Sequence, residues 1–222
     1  MDDAARAQVA LVQGQSRYGN VMAALNRIAG QVQLDGVRRV LIKPNFVSTT
    51  RPLAATNVQA VRATLDFVRT RYDGPIVVAE GAAASSTWSG FRNFGYERLA
   101  EEYGVELKDL NADDAVPVQV YDRCLRPLTV YLARTVVEAD YRISVGPPKT
   151  HDVVIVTLSI KNLVMGALVN PQAARNGGGA SGIAQCVARM APKWVWRSGL
   201  AEWAKGTILG RPGGSSKMAM HQ

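Results

Sequence analysis

The sequence predicts an α/β protein built on a mainly parallel, Rossmann-like sheet with helices on both faces and a basic helical C-terminal extension. Three observations carry that prediction. Short β-branched runs alternate with segments of helical period, which is the pattern of a parallel sheet with crossover helices. The runs stop abruptly at Pro or Gly, and polar side chains gather at those stops. Finally, 47% hydrophobic and 20% charged residues over 222 positions suit one sizeable core rather than two.

The elements follow in order. Residues 8–12 (QVALV) read as a first strand. Residues 17–33 read as an amphipathic helix, with Val21, Leu25, Ile28 and Val32 at three- and four-residue spacings. Val37 to Ile42 is a β-branched run that ends in Lys43-Pro44-Asn45, where proline cannot continue a ladder. Asn57 to Arg71 reads as a second helix with Val58, Val61, Leu65 and Val68 on one face, broken by Asp73-Gly74-Pro75. The strand 76–80 (IVVAE) ends at Glu80-Gly81.

A Ser/Ala/Gly loop over 81–90 leads to an expected helix near 91–103 and a strand over 105–110. A variable stretch with two possible short strands precedes the strand 140–146, which runs into Pro147-Pro148-Lys149-Thr150-His151. Residues 152–169 are compatible with a strand or a helix, and the spacing of Leu158, Leu163 and Met165 favours a helix from about Thr157. The domain division expected is an α/β core over 1–170 and, over 171–222, a Gly-rich loop with a basic, Trp-containing helical extension.

Function classes narrow as follows. The acidic start without an apolar h-region, and the lack of any run near the roughly 18 apolar residues of a spanning helix, point to a cytoplasmic protein. Cys124 and Cys186 are the only cysteines, so this chain alone cannot supply the four thiolates of an iron–sulfur cluster. From residue 170 onward seven cations face the single acid Glu202, and Trp194, Trp196 and Trp203 lie among them. Their irregular spacing suits packing on further structure better than an interfacial helix or a nucleic-acid contact, so neither membrane nor nucleic acid is the expected partner.

In open parallel sheets, ligands bind outside the carboxyl ends of the strands. Lys43 and Asn45 follow one strand, Glu80 another, and Lys149, Thr150 and His151 a third, with Lys161 and Asn162 on the segment after it. A lysine after a strand is usually a solvated cap and a Glu-Gly a turn, so no one of these residues marks a site. Their convergence does, and prolines 44, 147 and 148 stiffen the loops that carry them. A cationic set with one carboxylate and one imidazole suits an anionic small molecule, held as carboxylate or phosphate, with His151 or Glu80 as the proton carrier. Lys43, Lys149 and Lys161 are the expected anion holders, with Asn45, Thr150 and Asn162 orienting it. A metal site is not expected, because only His151, Asp152 and Glu80 offer ligands and their spacing is nonspecific. Ser85, Ser86 and the Gly-rich 177–182 run are weaker candidates for backbone anion nests.

The order V-L-I-K-P-N-F (40–46), Glu80-Gly81, F-x-x-x-G-Y (91–96), E-A-D-Y-R-I-S-V-G-P-P-K-T-H (138–151) and T-L-S-I-K-N-L-V-M-G (157–166) resembles the family known as domain of unknown function (DUF) 362. The resemblance implies a fold and little mechanism. Members are often joined to ferredoxin-like iron–sulfur modules, which implies a ferredoxin-like protein as a possible partner and a redox accessory role as an alternative function. The family pattern continues past the position of His221 into further α/β structure, so this chain is expected to be truncated relative to it. More distantly, the layout is similar to the N-terminal domain of nickel-dependent lactate racemases, where a lysine and histidines on strand-end loops hold a nickel-pincer nucleotide. That analogy implies a nickel- or nucleotide-type cofactor only through layout.

Overall fold

The computed structural model describes residues 8–83, 85–121, 125–150 and 156–169. The expected C-terminal extension and His151 lie outside the described residues.

The first element among the described residues is helix α1 (Arg17–Arg27), capped by the Ser16 hydroxyl, which accepts from the Gly19 amide. A short 3-10 turn over Ala29–Gln31 then leads to strand β1 (Val40–Lys43). Helix α2 (Val58–Arg69) is capped by Asn57, whose side chain accepts from the Gln59 amide. Strand β2 (Ile76–Glu80), helices α3 (Thr87–Asn93) and α4 (Tyr96–Tyr103), and strand β3 (Glu106–Asp109) follow. An antiparallel hairpin of β4 (Ala115–Tyr121) and β5 (Pro127–Ala133) precedes helix α5 (Arg134–Glu138) and strand β6 (Tyr141–Ser144). A two-residue ribbon of β7 (Lys149–Thr150) and β8 (Val156–Thr157) then leads to helix α6 (Ser159–Met165).

The main sheet has the order β3-β2-β1-β6, and every pairing in it is parallel. Strand β1 is entirely buried, and its alternating side chains feed two cores. Val40 and Ile42 join Ile76 and Val78 beneath α1, α2, α3 and α4. Leu41 joins Val77 and Ala79 beneath the β4–β5 hairpin, α5 and α6. A sheet covered on both faces requires continuous apolar strands, which is why VLIK and IVVAE read as runs rather than alternations.

Four expectations needed revision. Residues 8–12 form no strand: Val9 and Leu11 are 92% and 86% exposed, and the segment is tied to α1 and the following turn by Arg27 Nη1 donating to the Leu11 carbonyl (2.7 Å) and by the Gln8 amide donating to Gln31 Oε1 (3.1 Å). Strand propensity without a partner ladder is only a weak preference. The helix expected over 17–33 ends at Arg27. The helix expected near 91–103 is two, because Gly95 adopts φ +80° between α3 and α4, a left-handed conformation that suits glycine. The strand expected over 140–146 ends at Ser144. The two short strands of the variable stretch are the β4–β5 hairpin, and the ambiguous 152–169 region resolves into β8 and α6. Among the described residues no helix is long and apolar enough to cross a membrane.

Candidate functional site

From β1 the chain leaves on one side towards β2 and β3, and later returns on the other side as β6. That reversal makes a topological switch point at the carboxyl ends of β1 and β6, the position at which ligands bind in open α/β sheets. Of the residues singled out in the sequence, Lys43, Asn45, Glu80 and Asn162 are joined there by an ion pair and hydrogen bonds.

Lys43, the last residue of β1, is wholly buried, as is Glu80, the last residue of β2, at 2% exposure. The Lys43 ammonium forms an ion pair with Glu80 Oε2 and donates to Asn162 Oδ1 (3.1 Å) and the Pro44 carbonyl (3.3 Å). Its three donors therefore have three acceptors, which the burial of a cation demands. The other Glu80 oxygen accepts from the Phe46 amide (2.9 Å). Burial pushes the Glu80 carboxyl above its ordinary pKa, while the Lys43 ammonium and the Phe46 and Gly81 amides pull it back. Both carboxylate oxygens are thus engaged from within the fold.

Asn162, on the first turn of α6 and 7% exposed, sits across this pair. Its Oδ1 accepts from both Lys43 and Asn45 Nδ2 (2.9 Å), and its Nδ2 donates to the Pro44 carbonyl (2.9 Å) and to Ser144 Oγ (3.1 Å). These four bonds lock the amide orientation and tie α6 to the ends of both β1 and β6. Space is tight: a Cβ at Gly166 would come within 2.5 Å of Lys43 Nζ and 2.6 Å of the Asn162 carbonyl.

Above this floor lie Asn45 and Lys149, both half-buried. Asn45 Oδ1 is a buried acceptor with no hydrogen-bond partner among the described residues. Partial burial lowers the Lys149 ammonium below its ordinary pKa, the Glu80 carboxylate raises it in part, and Lys43 lowers it further. Lys149 therefore lies within electrostatic reach of the buried pair. It is held in the β7–β8 ribbon, opposite Thr157, with Thr150 exposed beside it. Lys161 is half-buried on α6.

The sequence-predicted residues thus separate into two layers. Lys43, Glu80 and Asn162 form a closed polar floor, and Asn45, Lys149 and Thr150 stand nearer solvent. Lys43, expected to hold a ligand, turns inward to Glu80. Sequence reasoning missed Ser144 and Gly166, which lie against the floor, and Thr56, which holds Asn45 and Val145 beside it. Ser85 and Ser86 fall elsewhere: Ser86 caps α3 and Ser85 pairs with the Thr49 hydroxyl, while 177–182 lies outside the described residues.

Comparison with known proteins assigns the lineage. The pattern of the family described as Domain of unknown function (DUF362) matches residues 40–196, well over half of the chain, and the chain belongs to that family. No curated protein matches it. Among solved structures it is similar to the lactate racemase apoprotein from Thermoanaerobacterium thermosaccharolyticum, with a TM-score of 0.52 and 19% sequence identity. That match covers 74% of this chain and only 40% of the racemase chain, so the likeness is one of fold.

Proposed function

We propose that this member of the DUF362 family binds an anionic small molecule or cofactor, as carboxylate or phosphate, at the carboxyl ends of β1, β2 and β6. Lys149 supplies the cation, Asn45 and Thr150 orient the bound group, and the Lys43–Glu80–Asn162 floor fixes the positions of the loops that carry them.

One observation supports this reading above the others. An ion pair has been buried with its hydrogen bonds almost fully satisfied at the topological switch point of the sheet, where a desolvated, half-buried lysine stands above it. Burying charge costs more than packing apolar side chains of similar volume, and so adds little to stability. Its effect here is to set geometry, with Asn162 and the Phe46 amide held by it directly. A partly desolvated ammonium gains more from an anion than a fully hydrated one does, because the attraction acts in a medium of lower effective dielectric.

Inorganic phosphate and acetate are the probes, titrated into the full chain by calorimetry beside Lys149→Ala. The wild type is expected to bind at least one of the two, and Lys149→Ala to lose about 1.5–3 kcal/mol of affinity, the worth of a hydrogen bond to a charged group. Equal affinity in the two proteins would remove Lys149 from the role. Because the ammonium must be protonated, affinity should fall as pH rises through its lowered midpoint.

A further inference from the structure

We propose that Thr56 is a positioning residue that sets the distance between the two loops of the candidate site by clasping the exit of β1 to the exit of β6. This rests on the reading of the site given above. Thr56 is 3% exposed and lies just before the Asn57 cap of α2, outside both loops. Its hydroxyl accepts from the Asn45 amide (2.8 Å) and donates to the Val145 carbonyl (2.7 Å), so one oxygen bridges both strand ends. Its own amide donates to the Asn45 carbonyl (2.8 Å), which holds Asn45 at both of its backbone groups.

The two strand ends are also joined by the Val145 amide donating to the Lys43 carbonyl (2.9 Å), the last rung of the sheet, and by Asn162 Nδ2, which reaches the Pro44 carbonyl and Ser144 Oγ from α6. Beyond it the chain runs through Gly146, Pro147 and Pro148 to Lys149. Two fixed proline φ angles leave that segment little freedom, so displacement of Val145 carries to Lys149. Gly146 passes close by, where an added Cβ would come 3.9 Å from the Asn45 Cβ. Thr56 is itself anchored by Tyr96, whose buried hydroxyl donates to the Thr56 carbonyl (3.0 Å). Thr56 therefore acts through Asn45 and Val145, and its hydrogen bonds among the described residues reach neither the Lys43–Glu80 pair nor Lys149.

The test uses the full chain with Thr56→Val, which keeps the shape and loses the hydroxyl, and Thr56→Ser, which restores it. The first readout is the midpoint of the Lys149 ammonium titration followed by NMR without added ligand. Thr56→Val should move that midpoint up towards the ordinary lysine value as water enters, and Thr56→Ser should keep it in place. The second readout is phosphate and acetate affinity, expected to weaken about tenfold in Thr56→Val, since displacement of a binding group by a fraction of an ångström is costly, and to recover in Thr56→Ser. An unchanged midpoint in Thr56→Val overturns the clasp. If the wild type binds neither probe while the midpoint still follows the hydroxyl, the anion reading fails and the clasp stands. Should Thr56→Val not fold, hydrogen exchange of the wild-type Asn45 amide decides: slow exchange supports the clasp, and exchange as fast as an open loop overturns it.

Discussion

At the residue scale, the pairing of Lys43 with Glu80 makes the sharpest energetic demand. Removing one member leaves the other buried and uncompensated, so Lys43→Met is expected to cost about 3–5 kcal/mol. Lys43→Met combined with Glu80→Leu should cost less than Lys43→Met alone, because no charge is then stranded. Urea unfolding of the two variants checks this; a double variant at least as unstable as the single would show that the cost lies in packing. Gly166 is bound to the same pair. A methyl group there meets the Lys43 ammonium and the Asn162 carbonyl, so Gly166→Ala should destabilise by about 1–3 kcal/mol, as overpacking does. The sequence made Lys43, Glu80 and Asn162 legible as chemistry-bearing residues at strand and helix ends. It did not tell which way they face, since an inward-turned ion pair and an outward pair of ligands have the same one-dimensional pattern.

At the element scale, β1 and β6 are fastened at their amino ends as well. Asp140, just before β6, accepts from the amides of Arg38 (3.1 Å) and Arg39 (3.0 Å) and pairs with the Arg38 guanidinium (2.9 Å). The Arg38 hydrogen bond outweighs partial burial and holds the Asp140 carboxyl below its ordinary pKa. A carboxylate with a lowered folded pKa contributes stability at pH above its unfolded value and loses it as pH falls through the folded one. Asp140→Asn should therefore lower stability at neutral pH by about 1–2 kcal/mol and flatten the acid side of the stability–pH curve. Unfolding midpoints measured across acid pH in both proteins test this, and parallel curves would contradict it. Element types were readable from period, and β2 was legible to the residue because Pro75 and Gly81 bracket it. The strand assigned to 8–12 and the single helix over 91–103 failed for different reasons: a strand needs a neighbour that sequence does not reveal, and Gly95 turned out to occupy a left-handed break rather than a tolerated helical position.

At the scale of the whole molecule, topology decides where chemistry collects. A chain that leaves β1 on one side and returns on the other places the ends of three strands together, and α6 closes the gap by reaching both β1 and β6 through Asn162. Convergence of Lys43, Asn45, Glu80 and Lys149 was legible, because strand ends can be placed on one edge once a parallel sheet is assumed. The layering was not, because it depends on α6 packing over the sheet, and the bracing by Thr56 carries no sequence signal beyond its place beside a helix cap. The most direct test is NMR chemical-shift mapping of the full chain during titration with inorganic phosphate. Perturbations concentrated at Asn45, Gly146, Lys149 and Thr150, and absent around Arg38 and Asp140 at the opposite edge, are the predicted result. Shifts centred on that opposite edge, or none at all with phosphate and with acetate, would contradict an anion site at the carboxyl ends of the strands.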